Sequence, residues 1–190
     1  MKKSNIHIKA ITIFMISLLP ALLSSSAFAQ NSNSEQLSLS VGASAGVVPV
    51  LTFGNVEDSG AAIGISGDLQ YQNIVGQLDF VYLLAESVGS DNFTSGMGFF
   101  GSLGYKIEAS DKIHIPVMAT GGASIIEYEA FGSYKDVSPQ VGITLAPYYM
   151  MNERTSVYSN IRYMKGFKGS EDSDSIDLFG VTIGLRFTLL

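Results

Sequence analysis

The sequence predicts an all-β chain, folded as an eight-stranded antiparallel transmembrane β-barrel with short turns at one end and four longer loops at the other. Three observations lead there. Apolar and small-or-polar residues alternate with period two in eight successive stretches, the repeat of a strand rather than a helix. The connections between those stretches are alternately tight and long. One face of the alternation is apolar and the other is mostly Gly, Ser and Thr, with few of the charges that a water-facing surface carries.

The chain opens on a segment that does not belong to this pattern. Lys2, Lys3 and Lys9 precede the apolar run Ala10–Leu23, and a small-x-small site follows at Ala27-Phe28-Ala29. That order reads as a secretory signal peptide, residues 1–29, with cleavage expected after Ala29. Its apolar run is shorter than the ~20 residues of a membrane-spanning helix. Residues 30–36 read as a short polar lead, and 37–190 as the barrel domain, one domain by length. Removal of the leader takes three of the eleven basic side chains and none of the seventeen acidic ones. The acidic balance that remains argues against nucleic acid as a partner. With no cysteine, disulfides, thiol chemistry, thiolate metal sites and lipid attachment through a cysteine are excluded.

The eight predicted strands run near 37–47, 61–71, 74–84, 96–108, 112–126, 139–150, 155–167 and 175–189. The first puts Leu37, Leu39, Val41, Ala43, Ala45 and Val47 on one face and Ser38, Ser40, Gly42, Ser44 and Gly46 on the other. Gln72-Asn73, Ala109-Ser110-Asp111 and Met151–Arg154 suit tight hairpin turns. The connections near 48–60, 85–95, 127–138 and 168–174 are longer and collect Gly, Ser, Asp and Glu. An even number of strands of about ten residues, with short turns on one side, is the layout of an outer-membrane barrel with both termini on the periplasmic side.

A lipocalin-like soluble barrel would also have eight strands, but its outside would be charged. Here the fifth strand offers Ile113, Ile115, Val117, Ala119, Ala123 and Ile125 on its apolar face, and the eighth Phe179, Val181, Ile183, Leu185, Phe187 and Leu189. Tyr71, Phe80, Tyr82, Phe99, Tyr105, Tyr149, Tyr163 and Phe187 share that face, several near strand ends where interfacial aromatics gather. The opposite face is the predicted lumen, and a lumen of eight strands is just wide enough for side chains to interdigitate. Asp68, Asp79, Lys106, Glu108, Arg162 and Arg186 project there, and buried charges persist only when paired. A lumen filled by such pairs is plugged.

The C-terminal stretch Thr182-Ile183-Gly184-Leu185-Arg186-Phe187-Thr188-Leu189 places a polar residue, a Gly two positions on, and hydrophobic residues three and five beyond that Gly. This resembles the terminal signal read by the barrel-assembly machinery, with Thr182, Gly184, Phe187 and Leu189 as its positions. In layout the chain from residue 37 resembles the small OmpA-like and OmpX-like eight-stranded outer-membrane barrels, although the usual terminal Phe is here followed by Thr188, Leu189 and Leu190. The resemblance implies a bacterial outer-membrane location, a monomer, contact with outer-membrane lipid and lipopolysaccharide, and delivery by periplasmic chaperones. It further implies a non-enzymatic role in envelope structure or in adhesion to a host surface molecule. The external loops would carry that role through Glu57, Asp58, Glu86, Asp91, Glu127, Glu129, Asp136, Glu171, Asp172 and Asp174.

The motifs with chemical associations are weak in this setting. Gly42–Gly46, "GASAG", has the form of a nucleophile elbow but sits inside an alternating strand rather than between strand and helix. Gly96–Gly101, "GMGFFG", matches a dinucleotide fingerprint with no helix after it. "EDSDS", 171–175, lacks the following Gly and distant Glu of a calcium loop. The sequence thus points to no cofactor, metal or catalytic residue. Two alternatives stay open: a lipid-modifying barrel enzyme resembling the lipid A deacylases, which would have to use His114, the sole histidine after the leader, and a narrow pore.

Overall fold

The computed structural model describes residues 37–53, 56–85, 92–129, 133–169 and 175–189. Among the described residues nine strand segments run in order: β1 Leu37–Phe53, β2 Val56–Tyr71, β3 Ile74–Ala85, β4 Asn92–Glu108, β5 Ile113–Glu129, β6 Ser133–Leu145, β7 Tyr148–Met150, β8 Thr155–Gly166 and β9 Ile176–Thr188. All pairings are antiparallel, and β9 returns to β1 from Ser40↔Thr188 to Phe53↔Ile176, closing the sheet into a barrel. Closure is what lipid demands, since it leaves no strand edge with unpaired backbone groups.

The nine segments make eight barrel strands, because β6 and β7 are one strand interrupted at Ala146-Pro147. The register does not change across the gap: β5 pairs Val117↔Leu145 before it and His114↔Tyr148 after it. Two prolines cause the interruption. Ala146 N–H donates to the Pro116 carbonyl at 3.0 Å and Ser159 N–H to the Pro147 carbonyl at 2.9 Å. The reciprocal bonds cannot form, because neither proline nitrogen carries a hydrogen.

Strand β1 carries a bulge. Its pairing with β2 shifts between Val48 and Leu51 and its pairing with β9 between Val47 and Val50, so one extra residue is absorbed around Pro49. As a result Val48 and Leu51 both point inward while Pro49 and Val50 stay exposed. The bulge thereby adds apolar bulk to the lumen near the long-loop end.

The tight turns are where the sequence puts them. Between Tyr71 and Ile74 the chain reverses in two residues, with Gln72 held at φ 54°, in the left-handed region. The side-chain carbonyl of Asn152 accepts from the backbone N–H groups of Arg154 and Thr155, both at 2.9 Å, fixing the β7–β8 turn. At the other end the strands run further than the sequence suggests. Most of 48–60 and 127–138 is strand, so these two connections shrink to residues 54–55 and 130–132. Turn-favouring residues were outvoted there by ladder pairing with a neighbour already in register, such as Glu127↔Lys135 and Thr52↔Glu57.

The outward wall is apolar. Among the described residues, Ile63, Ile65, Leu103, Ile143, Ile183, Leu185, Phe187 and Leu189 are exposed large hydrophobics on it, with Tyr105 and Tyr149 toward the short-turn end. Among the described residues, no Asp, Glu, Lys or Arg faces outward between the turn residues and the Lys165–Asp177 ion pair. An apolar band of that extent fits hydrocarbon and not water.

Candidate functional site

The inward face has two layers that differ in chemistry. The layer toward the short turns is mainly polar, with one small buried apolar cluster of Val75, Met118 and Ala146. Its first network runs around the wall: Gln77 Nε2 donates to Asp79 Oδ1 at 3.2 Å, the Arg162 guanidinium pairs with Asp79 Oδ2, and Arg162 Nε donates to Thr144 Oγ1 at 3.1 Å. Thr144 and Thr120 hydroxyls lie 2.7 Å apart and Thr120 and Ser102 hydroxyls 2.9 Å, carrying the chain to β4. The second centre is Arg186, whose guanidinium lies between the rings of Tyr158 and Tyr148, at 4.6 and 5.2 Å, with its Nε 3.1 Å from Asp68 Oδ2. Tyr158 in turn meets the Ser66 hydroxyl at 3.2 Å. That ring fits because residue 42 is glycine: a Cβ there would come within 2.9 Å of Tyr158.

His114 belongs to this layer. It points inward, its ring stacks on Tyr148 at 5.0 Å, and its Cα partner across the sheet is Glu108. Lys106 and Glu108 form an ion pair at 3.0 Å. Glu108 is the exception among the six charges assigned to the lumen: its side chain is 57% exposed. It occupies the last position of β4, at the mouth, where the wall no longer encloses it.

The layer toward the long loops is apolar. Val48, Leu51, Ala62, Leu83, Phe100, Ile126, Met164, Ile176 and Leu178 form one buried cluster, with Val81 packed against it. Phe100 enters because position 98 is glycine, where a Cβ would lie 2.5 Å from its ring. On the β6 side the layer is completed by polar groups that satisfy one another. Ser124 Oγ donates to Gln140 Oε1 at 2.9 Å, Gln140 Nε2 to the Ile176 carbonyl at 2.6 Å, and Ser138 Oγ to the Phe167 carbonyl at 2.9 Å. Arg162 joins the two layers, with its guanidinium 4.7 Å above the Phe100 ring.

This apolar layer was not anticipated from the sequence, yet a signal for it exists. Val47-Val48, Leu83-Leu84, Phe99-Phe100, Ile125-Ile126, Tyr163-Met164 and Leu178-Phe179 are doublets, one residue facing lipid and the next facing the lumen. Alternation fails there because both sides of the wall are apolar.

Of the terminal positions, Phe187 and Leu189 face outward and are exposed, whereas Thr182 and Gly184 face the lumen. Of the acidic positions assigned to loops, Glu57, Asp58, Glu127, Glu129 and Asp136 lie instead on the ends of strands β2, β5 and β6. The side chains of Glu57, Asp58, Glu129 and Asp136 are outside the described set, as are residues Glu86, Asp91, Glu171, Asp172 and Asp174 altogether.

No protein-family model matches this sequence, and no curated protein matches it either. Solved structures do. The fold is similar to that of Neisserial surface protein A (NspA), at 12% identity over 79% of this chain and 96% of that one, with a TM-score of 0.67. It is similar to Ail, the attachment invasion locus protein of Yersinia pestis, at 11% identity over 83% and 100% of the two chains, TM-score 0.54. Outer membrane protein H (OprH) of P. aeruginosa matches at 17% identity over 80% and 99%, TM-score 0.54. At such identities the likeness establishes the fold, a small transmembrane β-barrel.

Proposed function

We propose that this chain is exported through its leader, matures at Ala29 and assembles in the bacterial outer membrane as a non-enzymatic barrel that presents its long-loop end to partners outside the cell. One observation carries the reading. Paired strands reach the level of the outward ion pair Lys165–Asp177 in β1–β2, where Thr52 lies opposite Asp177, and run well past it in β5–β6, as Glu127↔Lys135, so the barrel wall itself extends beyond the apolar band. A wall that outreaches its lipid contact is a platform. The names of two fold neighbours, a surface protein and an attachment protein, are in keeping with this use.

Charge narrows the partner. Ail forms a complex with the heparin analogue sucrose octasulfate, a polyanion. The outer end of this chain carries Glu57, Asp58, Glu86, Asp91, Glu127, Glu129, Asp136, Glu171, Asp172 and Asp174 against Lys135, Lys165 and Lys168. Like charges repel, so the surface fits a cationic partner, a basic protein patch, rather than a sulfated glycan. Adhesion of expressing cells to immobilised basic and heparin-type surfaces tests this across ionic strength. Binding to the basic surface, lost on combining Glu57→Gln, Asp58→Asn, Glu129→Gln and Asp136→Asn, is expected. Preferential binding to heparin, or binding indifferent to the four changes, would overturn it.

Orientation is tested separately. Epitope tags at Asp58, Asp91, Tyr134 and Ser173 should be reached by antibody on intact cells, and tags at Asn73, Ser110 and Asn152 should not. The reverse pattern would place the platform in the periplasm.

A further inference from the structure

The outward wall is not evenly filled. Across β5, β6 and β8 it carries an open apolar groove lined by Ala119, Gly121, Val141, Ile143, Tyr163 and Lys165. Two neighbouring rungs build it: Lys165 pairs with Val141 and Val141 with Gly121, while Tyr163 pairs with Ile143 and Ile143 with Ala119. Gly121 and Ala119 form the floor, and the exposed side chains of Val141, Ile143 and, on β4, Leu103 form the flanks. Internal packing does not require glycine at 121. A Cβ there would meet only the Gln140 carbonyl oxygen, at 4.0 Å, whereas at the nearby lumen-facing Gly122 and Gly142 it would come within 2.1 and 1.9 Å of backbone oxygens. The floor is bare toward the outside alone.

Charge marks one end of this groove. Apart from the cations of the lumen and of the tight turns, the basic residues after the leader are Lys135, Lys165 and Lys168, and all three fall on β6, on β8 or just after β8. The β6–β8 sector is thus the basic sector of an otherwise acidic end. Asp177 pairs with the Lys165 ammonium through one carboxylate oxygen and accepts the Gly166 N–H at 3.0 Å through the other. That fixes the ammonium at the head of the groove and leaves it two further N–H donors on a side chain 57% exposed. Lys168 is exposed beside it in sequence.

We infer that the groove is a binding site for one lipid with a phosphate-bearing head, its acyl chain lying over Gly121 and Ala119 and its phosphate at Lys165, within the field of Lys168. Basic side chains at the edge of an apolar wall attract anionic head groups. A chain seated on the floor restores the dispersion contacts that the missing side chain at 121 forgoes. In the orientation proposed above this leaflet is the outer one, so the lipid is the phosphorylated glycolipid lipid A and not a glycerophospholipid. The chain then holds an anionic lipid at its basic sector and offers its acidic rim to a cationic partner.

The test is native mass spectrometry of the full-length mature protein, folded in detergent micelles and offered an equimolar mixture of lipid A, phosphatidylglycerol and phosphatidylcholine. One lipid A should be retained in preference to the other two. Lys165→Gln/Lys168→Gln should lower the bound fraction by about tenfold or more. Gly121→Leu, which fills the floor, should lower it comparably, and Gly67→Leu should leave it unchanged, since residue 67 faces outward away from the groove with no atom within 4 Å of a Cβ. Folding of each variant is checked by heat-modifiable gel mobility. If Gly121→Leu does not fold, the lysine variant and the lipid preference decide. Equal retention of the three lipids, a preference for phosphatidylglycerol, retention indifferent to the lysine variant, or equal losses with Gly67→Leu and Gly121→Leu would overturn the site. Displacement of the lipid by excess inorganic phosphate would do so too, because the acyl chain would then contribute nothing. No readout here uses adhesion or tag accessibility, so failure of the site is distinguishable from failure of the proposed function.

Discussion

Asp79–Arg162 and Asp68–Arg186 are the same two side-chain chemistries on the wall of one lumen, yet they are held in opposite ways. Around the first pair both charged groups are hydrogen-bonded: Gln77 donates to the carboxylate, Thr144 accepts from the guanidinium, and Phe100 covers it, while Gln77 Oε1 is left without a partner. The second pair approaches to 3.1 Å without hydrogen-bond geometry, and both partners keep unpartnered atoms while two tyrosine rings flank the cation. The difference lies in the neighbours, since burial is the same: Arg162 sits under the apolar layer against Phe100, and Arg186 lies between two tyrosine rings. One pair is held by hydrogen bonds of good geometry, and in the other cation–π attraction carries part of the cation's stabilisation.

The sharpest way to break this contrast is to remove the cation from each pair. Arg162→Ala leaves Asp79 buried and uncompensated, and should cost about 3–5 kcal/mol. Arg186→Ala should cost less by about 2 kcal/mol, because the pair it breaks has no hydrogen-bond geometry to lose. Urea titration followed by heat-modifiable gel mobility measures both, and equal losses would erase the distinction. Next in size, Met164→Ala should cost about 2–5 kcal/mol, since a fully buried side chain of the apolar layer leaves a cavity. The same titration on Asn160→Ala should cost no more than about 1 kcal/mol, since the change removes a buried carbonyl that makes no hydrogen bond within the protein. Between these lies a gain. Gln72→Gly should stabilise by about 1 kcal/mol, because the left-handed backbone at φ 54° strains any residue with a Cβ. A loss there would mean that the turn relaxes in solution.

How far the sequence could be read follows from where one interaction dominates. Lipid facing was legible because Ile113, Ile115 and Val117, and Ile183, Leu185 and Phe187, alternate strictly with His114 and Pro116 and with Gly184 and Arg186, and hydrocarbon tolerates little but apolar side chains. The direction of Asp68, Asp79, Arg162 and Arg186 was legible for the same reason. Their pairing was not, because partners such as Asp79 and Arg162 are brought together by closure of the barrel and not by spacing in the chain. The inward apolar layer was missed because an inward Met164 beside an outward Tyr163 looks like a flaw in alternation when only one apolar face is expected. Strand length at the outer end was overlooked for a further reason. Glycine and acidic residues near 54–60 and 127–136 favour turns locally, and the ladder overrode them.

Pro116 and Pro147 bear on how the wall moves. They withhold two rungs from neighbouring ladders within a few residues, leaving the carbonyls of Ala146 and Ser159 without backbone donors in a region where lipid supplies none. The join between first and last strands, often the vulnerable one in a cylinder, is here long and ends with Leu189 N–H donating to the Leu39 carbonyl at 2.7 Å. Breathing is therefore displaced from the closure to the proline seam. Amide protons flanking that seam, at Val117, Leu145 and Ser159, will exchange with deuterium ahead of those between β1 and β9. The barrel opens, when it opens, along a line that synthesis and assembly never had to join last.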